Sequence, residues 1–418
     1  MLYRLGADGN LWLQPVPGGA VRQLTDHGPD RAAQAPMVCP GSDGVVYVID
    51  QREVWLQRFD GTPPRRLDGG DADFCFDPWV TSCGTTVVWQ AWDVPDMAWD
   101  RSRVQRITFD GTVRDEFQPA GALQQPRTLD DGRAIFVCDE TGWNNVWVDD
   151  APLVGEAVEQ ADPTWGMGQR SFAASPDQRH VAFVRNEAGF GRLCVAEIAT
   201  GAVTEIARGV HGQLSWAGHS LAAIRTGAKT PTQVVVYDMR AFDADAAAAP
   251  STPPPSTPTP STPPPSMPPA RRTIDVGPLS GWEQESLVEP EPLTITARDG
   301  AMLHARLYRA DAPVRGMICW LHGGPTDQWQ VTFMPRIAYW RSQGWHILVP
   351  DHRGSTGHGR AYQQAMNGRW GDLDVTDTAD VVRHAHTQGW ADPAHTVLMG
   401  GSAGGFTVLG VVAAEPDL

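Results

Sequence analysis

Residues 243–272 read DADAAAAPSTPPPSTPTPSTPPPSMPPARR, and no other segment limits so strongly what this chain can become. Proline supplies no backbone N–H and holds φ near one value, so neither a helix nor a central strand can cross a run this dense. A semi-rigid, extended polyproline tether is the expected state. The competing reading of the same residues is a ligand for proline-binding modules. The tract divides the chain into residues 1–242, the linker 243–272, and residues 273–418.

The first part is rich in strand patterns and repetitive. A short hydrophobic strand, a polar turn often holding Gly, and a second strand recur in DGNLWLQPVPGGAVRQL (8–24), REVWLQRFDGTPPRRL (52–67), SRVQRITFDGTVRDEF (102–117), NNVWVDDAPLVGEAV (144–158), GRLCVAEIATGAVTEI (191–206) and TQVVVYDMRAF (232–242). Companion strands lie between them: GVVYVID (44–50), TTVVWQAW (85–92), RAIFVCD (133–139), HVAFVRN (180–186) and SLAAIRT (220–226). Such units returning roughly every 40–50 residues point to the blades of a β-propeller. A β-sandwich is the alternative, and the regular period argues against it. About six repeats are visible, the first already inside a strand at Met1.

Residues 273–418 change character. Strand candidates LTITA (293–297), LHARLYR (303–309), GMICWLH (316–322), WHILVPD (345–351) and HTVLMGG (395–401) are separated, late in the series, by helical spacing over 333–344 and 372–389. Each helical segment ends in Gly, a common helix stop. Strands alternating with helices predict an α/β sheet whose central strands are parallel.

Bulk properties exclude some classes of function. Lys and Arg number 33 against 49 Asp and Glu, a net charge of -16, which argues against a nucleic-acid or anionic-membrane surface. No run of eighteen apolar residues occurs, so no membrane span is expected, and no secretory signal is visible at MLYRLGADGN. The six cysteines form no C-x-x-C pair or metal-ligand spacing, and read as small buried hydrophobes of a reducing, cytoplasmic compartment. No metal or organic cofactor is indicated.

Chemistry concentrates near the end of the chain. Gly400-Gly401-Ser402-Ala403-Gly404 matches G-x-S-x-G after a β-branched strand and before an apolar helix. A strand turning abruptly into a helix presents its serine in a strained conformation, and glycines let the backbones pass closely. Ser402 is therefore the candidate nucleophile. In CWLHGGPTDQ (319–328), His322-Gly323-Gly324-Pro325 follows a buried strand, where glycines permit backbone N–H groups to face a developing oxyanion. Gly324 and Ala403 are the candidate oxyanion donors. His322 is placed by this reading in the oxyanion loop and not as the catalytic base.

With DHRGSTGHGRAYQQAMNGRWGDLDVTD (351–377) added, the motif series resembles the prolyl oligopeptidase family of serine peptidases, nearest its acylaminoacyl-peptidase and dipeptidyl-aminopeptidase-like branch. The resemblance implies a propeller capping an α/β-hydrolase domain and cleavage of short peptides by acyl transfer from Ser402, with Gly324 and Ala403 stabilising the oxyanion. It also makes Arg353, Trp370, Gly371, Asp374 and Asp377 structural, shaping the sheet edge and starting a helix. Two departures stand out: His358 stands where relatives commonly have tyrosine, which is expected to alter the local surface, and the proline-rich tether is long. No adjacent Glu-Glu pair in the propeller is present to anchor a free amino terminus, so aminopeptidase, acylpeptidase and endopeptidase specificity stay open.

The expected fold class is thus an N-terminal β-propeller followed by an incomplete α/β-hydrolase domain. In α/β-hydrolases the acid and the histidine follow the serine. After Ser402 come only Glu415 and Asp417 as acids, and no histidine. The expectation is an amino-terminal part of a longer serine peptidase, inactive as an isolated chain. The alternatives are a non-catalytic propeller scaffold that binds peptides or proteins, and an esterase on the hydrolase scaffold.

Overall fold

The computed structural model of the chain describes residues 2–5, 9–14, 18–28, 30–39, 41, 43–242, 268–279, 281, 287–311 and 313–418. Most of the proline-rich tract, 243–267, lies outside the described residues, and the tether reading with it. Two compact units divide the chain, Met1–Gln169 and Arg170–Leu418.

The first unit is a succession of four antiparallel sheets. Strands Leu2–Leu5, Leu11–Gln14 and Arg22–Gln23 form the first, and Ala33–Val38, Gly44–Ile49, Glu53–Arg58 and Arg65–Arg66 the second. The third holds Phe74–Val80, Thr86–Trp92, Arg103–Thr108 and Arg114–Phe117; the fourth holds Leu123–Thr128, Ala134–Cys138, Asn145–Val148 and Ala151–Pro152. Gly44–Ile49 is buried at all six positions, because both faces of the sheet are covered and the usual in–out alternation vanishes. Val46, Val48, Val54, Leu56, Val80, Val87 and Trp89 pack the second sheet against the third.

The second unit opens with two more such sheets. Phe172–Ala174, His180–Glu187, Phe190–Glu197 and Val203–Arg208 form the fifth; Val210–Ala217, Ser220–Gly227, Thr230–Asp238 and Arg271–Val276 form the sixth. Six meanders in succession are propeller blades, so the amino-terminal fold is a β-propeller. The last strand changes one boundary. Arg271–Val276 pairs antiparallel with Thr230–Asp238 and is exposed throughout, as an outer strand is. Residues 273–276, read above as the start of the α/β part, therefore complete the sixth sheet.

One device recurs in the opening strand of four sheets. The register slips between Gln34 and Met37, Phe76 and Trp79, Gln124 and Arg127, and Gly212 and Ser215. At each slip one residue takes positive φ: Ala35, Asp77, Gln125 and Gln213. In three of them proline follows (Pro36, Pro78, Pro126), seated at a bulge where no ladder bond is asked of it.

The carboxy-terminal domain is an α/β sheet. Its strands are β1 (Glu291–Thr296), β2 (Met302–Tyr308), β3 (Gly316–Leu321), β4 (Trp345–Asp351) and β5 (Thr396–Gly400), in the spatial order β1-β2-β4-β3-β5. β1 and β2 are antiparallel to their neighbours, whereas β4, β3 and β5 run parallel. Helices α1 (Pro335–Ser342), α2 (Arg360–Gln364), α3 (Leu373–Thr387) and α4 (Ala403–Ala414) connect or follow them. Leu303, Leu307, Met317, Leu321, Leu348 and Val382 form the core beneath α3. Among the described residues no helix is long and apolar enough to cross a membrane.

Candidate active site

The turn from β5 into α4 is built by glycine for steric reasons. A Cβ on Gly400 would stand 2.5 Å from the carbonyl carbon of Gly404, and one on Gly404 would stand 2.5 Å from the His322 carbonyl oxygen. The chain thus folds back on itself while α4 rests on the end of β3, and any side chain at either position would hold these backbones apart. Between them Ser402 takes φ +53° and ψ −125°, a sparsely populated conformation costing about 1–3 kcal/mol. Ser402 is exposed, and among the described residues its hydroxyl has no hydrogen-bond partner.

The loop after β3 lies against this turn. A Cβ on Gly323 would come 3.4 Å from Ser402 Cβ and 3.2 Å from the Gly401 carbonyl oxygen. Gly324 adopts φ +124°, where a Cβ would also strike the amide of Thr326 at 2.8 Å. Among the described residues neither the Gly324 nor the Ala403 N–H has a hydrogen-bond acceptor. His322 is fully buried, stacked on His352 at 5.0 Å, with Nδ1 2.7 Å from the Gly323 oxygen and Nε2 2.7 Å from Ser355 Oγ. Burial, with the neighbouring His352, pushes its pKa down to about 4. Both ring nitrogens are engaged, and Ser402 is not among their partners.

A buried polar network holds the same loop from the other side. Asp351, at the end of β4, takes Arg306 Nη2 on one oxygen at 2.6 Å. Its other oxygen receives Arg306 Nη1 at 2.7 Å, Gln328 Nε2 at 2.7 Å and His358 Nε2 at 2.8 Å. Burial opposes the charge, but the Arg306 guanidinium and the His358 bond hold this carboxyl below the usual carboxylate range. Gln328 Oε1 accepts from Asn186 of the fifth sheet at 2.8 Å, and the Val331 amide donates to Gly189 at 2.8 Å. His358 corrects one expectation. Its side chain is 5% exposed, stacked 4.0 Å from His304, and it serves this network and not the surface.

The residues expected to be structural make structural contacts. Arg353 grips Asp377 through Nη2 at 2.6 Å and Nε at 2.9 Å, and reaches Asp299 at 2.7 Å. Asp374 accepts from the Gly371 amide at 2.7 Å and from Thr407 Oγ1 at 2.5 Å. Trp370 and Phe406 pack at 5.1 Å between ring centroids. Glu415 is bound by Arg298 and Arg383 at the far end of α4, about 20 Å along the helix from Ser402 at ~1.5 Å per residue. Among the described residues no group of three or more His, Cys, Asp or Glu could hold a metal ion.

The sequence alone did not single out Arg306, Asp351, Gln328, Asn186 and Ser355 as connected. An arginine at an inward position of the apolar strand LHARLYR was the available signal for a buried ion pair.

A propeller followed by an α/β domain with a serine on a strained strand-to-helix turn defines a class of serine hydrolase architecture. Residues 331–418 match the profile described as the prolyl oligopeptidase family. The acylamino-acid-releasing enzyme of Arabidopsis thaliana is 38% identical over 101 residues, 24% of this chain and 13% of that protein. A puromycin-hydrolyzing peptidase of Mycobacterium tuberculosis superposes with a TM-score of 0.83 at 22% identity, over 98% of this chain and 64% of that one. A solved puromycin hydrolase gives 0.80 at 25% identity, with 98% and 64% coverage. The chain thus spans less than two-thirds of the length of these proteins. Its carboxy-terminal part is thus similar to the prolyl oligopeptidase family of serine peptidases.

Proposed function

We propose that this chain carries the nucleophile and oxyanion side of a serine peptidase site that cleaves short peptides by acyl transfer. The observation that carries the reading is the Ser402 turn: a positive-φ serine with an unpartnered hydroxyl, beside a loop whose glycine amide is also unpartnered. Ser402 attacks the scissile carbonyl, and the N–H groups of Gly324 and Ala403 receive the oxygen as it becomes negative. Ala403 begins α4, so the positive end of that helix faces the same charge. The likeness to puromycin hydrolase extends the substrates worth assaying from short peptides to aminoacyl amides of that kind.

A serine hydroxyl without a base is a weak nucleophile at neutral pH, so the chain by itself turns over peptides slowly or not at all. This unpartnered hydroxyl also favours a second reading, a propeller scaffold that binds peptides without cleaving them. A cytoplasmic setting is part of this reading, and cysteine usage supports it: among the described residues all six thiols are free, five of them buried.

The test is incubation with a fluorophosphonate probe and with chromogenic aminoacyl and acyl-peptide substrates, beside Ser402→Ala. Slow labelling that Ser402→Ala abolishes, with negligible turnover, is expected. Labelling equal in both proteins would remove Ser402 as nucleophile. Rapid turnover by the unmodified chain would overturn the claim of low activity.

A further inference from the structure

The peptide unit joining Gly323 and Gly324 carries two groups with separate duties. Its oxygen lies 2.7 Å from His322 Nδ1. Its N–H belongs to Gly324. Among the described residues the cis bonds are Val94–Pro95 and Gly324–Pro325, so the Gly323–Gly324 unit is trans. In a trans unit the C=O and N–H lie in one plane and point in opposite directions. Whatever fixes the oxygen therefore fixes the hydrogen.

The protons on His322 follow from its partners. A carbonyl oxygen only accepts, so Nδ1 bears hydrogen and donates to Gly323. The ring is fully buried with no carboxylate on either nitrogen, and burial keeps it neutral at pH 7. Its Nε2 is then an acceptor, and Ser355 Oγ, also fully buried and 2.7 Å away, donates to it. The relay runs in one direction: Ser355 O–H to His322 Nε2, His322 Nδ1–H to the Gly323 oxygen. Ser355 is itself anchored, since its amide donates to the His352 carbonyl at 2.9 Å. The next residue's amide, that of Thr356, holds the Asp327 carbonyl at 3.0 Å, so both ends of the glycine loop are tied to the segment 352–356.

We propose that Ser355 and His322 are positioning residues that lock the Gly323–Gly324 peptide plane, presenting the Gly324 N–H on the side away from His322. The proposal rests on the reading of Gly324 as an oxyanion donor. It gives His322 a task distinct from proton transfer to Ser402. It also gives Ser355, buried behind the site, an influence on the reaction without any contact with substrate. Preorganised donors are effective because their orientation is set before charge develops, and a loosened one loses that advantage.

Two measurements on the full chain test it. Side-chain ¹⁵N NMR of histidine-labelled protein is expected to show His322 as the neutral Nδ1–H tautomer from pH 5.5 to 8. In Ser355→Ala the amide resonance of Gly324 is expected to shift, while its melting transition stays cooperative. Fluorophosphonate labelling of Ser402 in the same variant is expected to slow roughly ten- to hundredfold, the scale of a misplaced catalytic group. An Nε2–H or cationic His322, or a Gly324 resonance unmoved by Ser355→Ala, would overturn the proposal. If Ser402 fails to label even in the unmodified chain, the peptidase reading falls, and the tautomer and the Gly324 resonance still decide the peptide lock.

Discussion

Thr407 donates its hydroxyl to Asp374 at 2.5 Å, and neither side chain reaches solvent. Because Asp374 also accepts from the Gly371 amide, one carboxylate ties α4, which Ser402 opens, to the start of α3. Nearby, Gly410 lets the two helices close: a Cβ there would stand 2.5 Å from Val375 Cγ2.

Thr407→Val keeps the shape of the side chain and removes the donor. The buried Asp374 then lacks one partner, and a loss of about 1–3 kcal/mol is expected. Urea denaturation reads this as a lower midpoint with an unchanged m-value; an unchanged midpoint would refute it.

Asp351 is a fully buried charge with Arg306, Gln328 and His358 on its two oxygens. Asp351→Leu leaves the Arg306 guanidinium buried and uncompensated, at a cost of about 3–5 kcal/mol. Arg306→Met combined with Asp351→Leu is expected to be milder than Asp351→Leu alone. Melting temperatures of the three proteins check the order.

The same carboxylate sets a pH dependence. Its folded pKa lies below the unfolded value near ~3.9, so its contribution is complete above about pH 4 and disappears as the pH falls through the lower, folded value. Denaturation from pH 6 to pH 3 is therefore expected to show unmodified protein losing stability faster than Asp351→Asn below about pH 4. Parallel curves would count against it.

Gly404→Ala is expected to abolish Ser402 labelling, since the new methyl would stand 2.5 Å from the His322 oxygen and 2.8 Å from that of Leu321. Gly401→Ala is the contrast, because open space surrounds that position. Equal labelling in the two variants would show that the packing of the turn is irrelevant to reactivity.

Cys83 is exposed in the turn after Phe74–Val80, and hydrogen bonds from Thr81 and then Thr85 bring its thiol down to about 7. The other five cysteines are buried, and burial raises Cys39, Cys75 and Cys319 to about 11 or 12. Alkylation of the native protein should modify one thiol, with a rate midpoint near pH 7 that vanishes in Cys83→Ala. Reaction of several thiols at similar rates would contradict this.

The fold was legible where the chemistry is local. GVVYVID and TTVVWQAW read as strands because unbroken β-branched and aromatic runs have few other uses, and the Ser402 turn because Gly400 answers a contact with Gly404 four residues on, although Gly404 itself answers the distant His322. The opening strands AQAPMV, FCFDPWV and LQQPRT were not legible, since their prolines read as breakers until each is seen seated at a bulge. Helix α2 is five residues long, too short for periodicity to register. The Asp351 network was hidden for another reason. Its partners lie 45 residues away at Arg306 and 23 at Gln328, and Asn186 lies 142 residues from Gln328, so only folding assembles them.

Helix α4 is apolar along most of its length and exposes Phe406, Leu409 and Val412, the last two at 72% and 58%, beside the outermost strand carrying Val397. A patch of this composition behaves as one half of a surfactant. The chain is therefore expected to bind nonionic detergent along this flank.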